Sequence, residues 1–207
     1  MSIKYKILET ALDLFNKEGV DKVSSRRIAA ELKISDGNLR YHFKHKELII
    51  IQLFEQMQEE LNQNREAKRQ SAHTLGEILD SMKSSFEIQY KYRFLLINLV
   101  DICRNIEYIH HHYQQSKALW KNYFLENVNK MLENGYIAVE NDEEQKLNYF
   151  AICNMISNFW ALDADLFGEG NTENVVDHYF KINCSLVKPY LTPKGKEEFQ
   201  AYFVEVT

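Results

Sequence analysis

Proline and glycine are scarce in this chain of 207 residues, with two prolines (Pro189 and Pro193) and seven glycines. With so few helix breakers, the first 188 residues read as long helices joined by short turns. Cysteine is scarce too. Cys103, Cys153 and Cys184 are odd in number, far apart and set in apolar runs. That argues against a disulfide framework or a metal site and fits reduced, buried thiols in a cytoplasmic protein. No apolar run follows Met1, and no uncharged stretch reaches the ~18 residues of a membrane span, so neither export nor a membrane partner is expected. Catalytic signatures are missing as well. There is no phosphate loop, no paired-carboxylate spacing on a suitable scaffold and no nucleophile beside a base, so an enzyme is not expected and no cofactor is implied. His110-His111-His112 invites a metal reading. Consecutive helical residues point about 100° apart, so the three cannot converge on one ion, and a polar helix end is the expected role.

Strong net charge is absent, at −5, but its distribution is uneven. Residues 1–50 carry ten Lys/Arg against seven Asp/Glu, whereas residues 51–207 carry fifteen against twenty-three. A basic excess confined to the first fifty residues is where contacts to a polyanion would be expected.

That segment holds an explicit pattern. A first helix over 3–17 places Leu8, Ala11, Leu12 and Phe15 on one face, and Gly19 is suited to end it. Ser24 or Ser25 can cap a second helix whose Ile28, Ala29 and Leu32 face inward. Lys33-Ile34 makes a turn, Ser35 caps a third helix, and Asp36 suits its positive end. On a helical wheel Asn38, Tyr41, His42 and His45 share one edge with Gly37 beside them, while Leu39 and Phe43 lie behind and Arg40 sits at the margin. A helix divided in this way can pack on its own domain and enter a DNA groove. Asn38 can pair with adenine, Tyr41 and His42 can meet thymine methyls, base edges or phosphates, and Gly37 lets the backbone come close. Ser25, Arg26 and Arg27 on the second helix suit phosphate contacts. Lys46, opening the next helix, could clamp a phosphate with help from Lys44.

The spacing Ile7-Leu8-x-x-Ala11-Leu12-x-Leu14-Phe15, Gly19, Ile28-Ala29-x-x-Leu32-x-Ile34-Ser35 and Gly37-x-Leu39-x-x-His42-Phe43-x-x-Lys46-Glu47 resembles the DNA-binding domain of the TetR family of bacterial transcriptional regulators. The resemblance covers residues 3–50. It implies an all-α homodimer with an N-terminal three-helix head containing a helix-turn-helix, followed by a larger helical domain for ligand binding and dimerisation. It implies a double-stranded DNA operator, a small-molecule effector and, for most members, repression. The family's DNA contacts carry over onto Ser25, Arg26, Asn38, Tyr41, His42 and Lys46. Arg40 departs from the family, which often has an aromatic residue there. Tyr92-Arg93-Phe94 and Leu99 are similar to a stretch found in a subset of the family.

The expected organisation is a head over 1–46, a connecting helix over 47–71 with a solvated polar end from residue 62, and a C-terminal domain over 72–207. Helical segments are expected near 74–92, 93–113, 115–134, 143–167, 172–190 and 194–204. Residues 147–162 are apolar almost all round, so they must be covered on every side. A second copy of the chain or the other helices of a monomeric bundle could do this. The dimer reading assigns Phe150, Ile152, Ile156, Phe159 and Trp160, with Val176, Tyr179, Phe180 and Val187, to the interface. Phe86, Tyr90, Phe94, Cys103, Trp120, Tyr123 and Phe124 are candidates to wall a cavity for an aromatic or lipid-like effector, although aromatics at helical spacing are more often plain core. The competing reading is an all-helical small-molecule binding protein without a DNA function. The exposed Asn38, Tyr41 and Lys46 expected of this sequence argue against it.

Overall fold

The computed structural model describes residues 2–69, 74–138, 143–168 and 175–205. Among them the architecture is all-α, with eleven helices: α1 Ile3–Glu18, α2 Ser25–Glu31, α3 Asp36–His42, α4 Lys46–Arg69, α5 Leu75–Lys91, α6 Arg93–Ile97, α7 Leu99–Asn105, α8 Glu107–Glu133, α9 Glu143–Phe167, α10 Val175–Ser185 and α11 Pro193–Glu205. A 3-10 turn, Lys188–Tyr190, precedes α11. The extended pairing described is an isolated bridge between Ile137 and Leu191. No helix among the described residues is long and apolar enough to cross a membrane.

Local chemistry sets the ends of the head's helices. Ser2 accepts from the Tyr5 amide at 3.3 Å and caps α1, whose Ile7, Leu8, Ala11, Leu14 and Phe15 are buried. Gly19 ends it at φ 86°, a region costly for residues with a Cβ, and returns its N–H to the Phe15 carbonyl at 3.1 Å. Ser24, not Ser25, caps α2 by accepting from the Arg27 amide at 3.2 Å. The turn into α3 then uses Lys33 in the left-handed region, φ 56°, closed by the Ile34 amide on the Ala29 carbonyl at 3.0 Å. Ser35 caps α3 through the Asn38 amide at 3.1 Å. The helix stops at His42 because Phe43 turns extended (φ −135°, ψ 104°) to bury its ring, so His45 lies in the following turn and not on the α3 wheel.

The connecting helix α4 runs unbroken to Arg69, and its polar end is solvated at Asn62, Gln63, Glu66 and Ala67. Ile49, Ile50, Leu53 and Phe54 are buried near its start, and Met57 and Leu61 further along. Asn64 donates to the Ser81 carbonyl at 2.9 Å and to Ser85 Oγ at 3.0 Å, so this end also packs on α5. Residues 70–71 of the expected link, and 72–73 of the expected C-terminal domain, lie outside the described residues.

Residues 93–113 differ from their sequence reading. A single helix was expected, yet the chain forms α6, α7 and the start of α8, with corners at Asn98 and Ile106. Neither corner holds glycine or proline. The Asn98 side chain bonds the Phe94 carbonyl at 2.8 Å, and Ile106 adopts an extended conformation and is buried. Tertiary packing therefore bends a segment whose local propensity is helical throughout.

The far end is closed by a small latch. Thr192 donates its amide to the Tyr136 carbonyl at 3.0 Å, and the Gly195 amide bonds Thr192 Oγ1 at 3.1 Å. A Cβ on Gly195 would stand 2.0 Å from the Tyr136 carbonyl oxygen, so only glycine fits this approach of α11.

Candidate nucleic-acid interface and internal cavity

Burial divides α3 into two faces. Leu39 and Phe43 are buried in the head, whereas Gly37, Asn38 and Arg40 are exposed and Tyr41 is 86% exposed. His42 is half-buried, and its ring meets that of Tyr41 edge-on at 5.1 Å. A tyrosine so exposed on a packed seven-residue helix contributes nothing to the core, and its neighbours Asn38 and His42 supply a donor–acceptor amide and an imidazole. Asp36 sits behind this edge, 3.1 Å from Arg40 Nε and 3.8 Å from Arg26 Nε. Its Oδ1 is buried without a hydrogen-bond partner. The carboxylate thus draws both arginines toward the start of α3. Ser35 and Lys44 are exposed at the two ends of the helix.

The second feature is internal. Helices α4, α5, α8, α9 and α10 enclose a cavity of about 240 Å³. Leu79, Met82, Phe86, Phe124, Val128, Tyr149 and Phe150 form apolar wall, and Arg65, Gln89, Asn127, Asn154 and Asn183 bring polar groups to it. Such a volume exceeds the ~150 Å³ of a cavity that admits benzene and falls just short of the ~300–1,000 Å³ of drug-sized sites. Ser81 and Tyr123 share a hydrogen bond of 3.1 Å at the wall. Burial pushes the Cys153 thiol up to about 11 and raises that of Cys184 as well, so both cysteines at the wall are held protonated.

Between the two features lies a side-chain bridge. Asn16, near the end of α1, donates to the Lys91 carbonyl at 2.9 Å and accepts from the Phe94 amide at 3.1 Å. Phe15 and Phe94 pack with ring centroids 5.1 Å apart and planes tilted by 44°. Glu60 of α4 accepts from the Tyr92 hydroxyl at 2.6 Å and pairs with Lys91 at 2.7 Å. The α5–α6 corner is therefore fastened to the head at several points.

Two family profiles match the chain. One, described as "Bacterial regulatory proteins, tetR family", matches residues 7–53, and the other, "Bacterial transcriptional repressor", matches residues 56–199. The chain belongs to the TetR family of bacterial transcriptional regulators. Among solved structures, it is similar to a TetR-family transcriptional regulator from Marinobacter aquaeolei VT8, with a TM-score of 0.87 at 24% identity over 97% of each chain. The ketosteroid transcriptional regulator KstR2 of Mycobacterium tuberculosis follows with a TM-score of 0.64 and 18% identity, over 92% of this chain and 96% of that one. Thermus thermophilus FadR, a TetR-family repressor solved with lauroyl-CoA, gives 0.53 and 16% over 89% and 93%. At these identities the likeness establishes the fold. No curated protein sequence matches this chain significantly.

Within this TetR-family head, two further cations expected at DNA, besides Arg26 and Arg40, have partners. Arg27 bonds Glu31 at 2.6 Å and Glu18 at 2.8 Å, which staples α2 to α1. Its guanidinium is held more firmly protonated by those two carboxylates. Lys46 donates to the Val20 carbonyl at 2.8 Å, leaving its other ammonium protons for a phosphate. Ser25 is half-buried on the first turn of α2, and Arg26 is exposed next to it.

Of the seven cavity candidates, Phe86, Trp120, Tyr123 and Phe124 line the cavity. Tyr90, Phe94 and Cys103 do not. Phe94 is buried against Phe15 in the bridge to the head, and Tyr90 stacks over Trp160 at 6.1 Å. Cys103 sits half-buried on α7. Sequence reasoning missed Asn16 and Arg65, because nothing local distinguishes an asparagine or arginine near a helix end from a solvated one.

The assigned interface residues separate into two sets. Phe150, Trp160, Phe180 and Val187 are covered by their own chain, so they present no surface to a second copy. Trp160 is 2% exposed, packs on Phe86 at 5.3 Å and donates to Gln89 at 2.7 Å. Ile156, Val176 and Tyr179 are half-buried. Ile152 and Phe159 remain exposed, with Met155 and Leu166 on the same stripe of α9. The three histidines point apart: His110 and His111 bond Gln114 and Gln115, and His112 packs on Phe54.

Proposed function

We propose that this TetR-family regulator is a ligand-responsive repressor that binds a near-palindromic operator as a homodimer and is released by a small apolar or aromatic effector. The observation that carries the reading is α3: Asn38 and Tyr41 face solvent while Leu39 and Phe43 anchor the helix from behind. Gly37, Asn38, Tyr41 and His42 enter the major groove. Arg26, Arg40 and Lys46 meet the backbone, with Ser25, Ser35 and Lys44 at the margins. Two such heads sit about 34–36 Å apart or a multiple of that distance.

Dimerisation uses the exposed stripe of α9. Ile152, Met155, Phe159 and Leu166 fall within about 60° of one another on the helical wheel, and Ile182 of α10 is exposed as well. An apolar stripe of this kind suits a four-helix contact between copies. The effector occupies the cavity, a use supported by its apolar wall and by the lauroyl-CoA held by Thermus thermophilus FadR. Filling it displaces α5, and the α5–α6 corner transmits the movement through Asn16, Phe94 and Glu60 to the head. A coupling of about 1–3 kcal/mol gives a 5–150-fold loss of operator affinity.

Selection of bound sequences from a random DNA pool tests the reading. A two-fold symmetric site, bound with a steep salt dependence, is expected. Absence of any selected site would leave the chain as a helical ligand-binding protein without a DNA function.

A further inference from the structure

Charge at the cavity wall is one-sided. The charged groups among its described lining residues are Arg65 and Lys146, with no aspartate or glutamate. Lys146 reaches Glu143 at 3.2 Å with its side chain 11% exposed. Arg65 is half-buried, and its hydrogen bond goes to the uncharged Asn62 Oδ1 at 2.8 Å. Five N–H donors on a guanidinium call for more acceptors than that, and a cation taken out of water costs free energy unless an anion meets it. Burial accordingly lowers the Arg65 pKa, which a nearby anion would reverse. A second donor on this wall is also unspent. Trp120 Nε1 is buried with no hydrogen-bond partner, a state that costs stability unless a guest supplies the acceptor.

We infer that the cavity takes a monocarboxylate with an apolar tail, its head held by the Arg65 fork and its tail packed among Leu79, Phe86, Val128 and Phe150. This rests on reading the cavity as the effector site. The planar guanidinium matches a carboxylate with two parallel hydrogen bonds. A phosphate monoester would bring a second negative charge that Arg65 leaves uncompensated, because Lys146, the other cation on the wall, is already paired with Glu143. About 240 Å³ suits a medium-length acyl chain or a single-ring aryl acid.

Calorimetric titration of the purified full-length protein, free of DNA, tests this with two matched pairs: octanoate against octanol, and phenylacetate against phenethyl alcohol. The acid of at least one pair is expected to bind about tenfold or more tightly than its alcohol. Arg65→Gln is expected to erase that advantage while the alcohol still binds. Arg65→Lys, which keeps the charge but not the fork, is expected to retain part of it. Equal affinity of acid and alcohol, or an advantage that survives in Arg65→Gln, overturns the carboxylate assignment and leaves the effector cavity standing. If none of the four compounds binds, the cavity is not an apolar-ligand site and both readings fall.

Discussion

The head and the C-terminal region are built from the same helical material, yet they expose their chemistry in opposite ways. In the head, a short helix turns its polar edge outward and its apolar edge inward, so each residue has one neighbourhood. In the C-terminal region, α5, α8 and α9 touch neighbours on several sides, and an aromatic residue can face core, cavity or solvent with equal local propensity. Trp160 and Phe159 make the contrast sharp: adjacent residues of α9, one 2% and the other 48% exposed. Chain neighbours on a helix differ by about 100° in direction, and that rotation decides between facing the core and facing solvent.

This pair gives the largest expected effects. Trp160→Ala should destabilise the protein by about 3–5 kcal/mol, because it empties a packed site and strands Gln89. Phe159→Glu should leave the fold intact and turn the proposed dimer into monomer. Thermal unfolding together with light scattering reads both. A dimer that persists in Phe159→Glu places the interface elsewhere.

Alkali acts on the phenols of the C-terminal region. Tyr179 is pushed up to about 12 by burial and by its hydrogen bond to Asp163, and burial raises Tyr92, Tyr113, Tyr149 and Tyr202 as well. The fold therefore keeps these phenols neutral while the unfolded chain ionises them. Their contribution is complete below the ordinary value of 10.0 and is lost as pH rises from there, for Tyr179 through about 12 and for the other four further into alkali. Tyrosine absorbance should lag behind that of free phenol until the protein unfolds.

Between the regions, Asn16→Ala removes two hydrogen bonds and orphans the Phe94 amide, with an expected cost of about 1–3 kcal/mol. Ligand binding should survive in this variant while its effect on operator affinity weakens. A full response would show that the signal travels by another route. Within the head, Tyr41→Ala should weaken specific DNA binding by about 1–3 kcal/mol without altering stability, as gel-shift titration at fixed salt can check. The smallest effect is Lys33→Gly, expected to raise stability by about 0.5–1 kcal/mol, because Lys33 holds φ 56° against its own Cβ.

Much of the head was legible in advance. Its caps, its turn at Lys33-Ile34 and the burial of Leu39 and Phe43 all follow from contacts within a few residues. Helices α5, α9 and α11 were equally visible as periodic apolar runs. The corners at Asn98 and Ile106 were not, since they answer to packing against distant helices. Arg27, expected at DNA, is also held by Glu18 and Glu31. Glu31 is one helical turn away, but Glu18 lies on another helix, and only the assembled head shows that the staple forms.

Sequence alone determined the helical class, the division of α3 into an anchored and an outward edge, and the kinship to TetR-family regulators. All three are properties of spacing along a single helix or of residues close in the chain. Tertiary structure alone decided which aromatics line the cavity, that Phe94 and Asn16 tie the head to the rest, and that Arg65 faces an apolar interior. Those depend on the directions of helices brought together from positions more than a hundred residues apart, and no local pattern encodes such an angle.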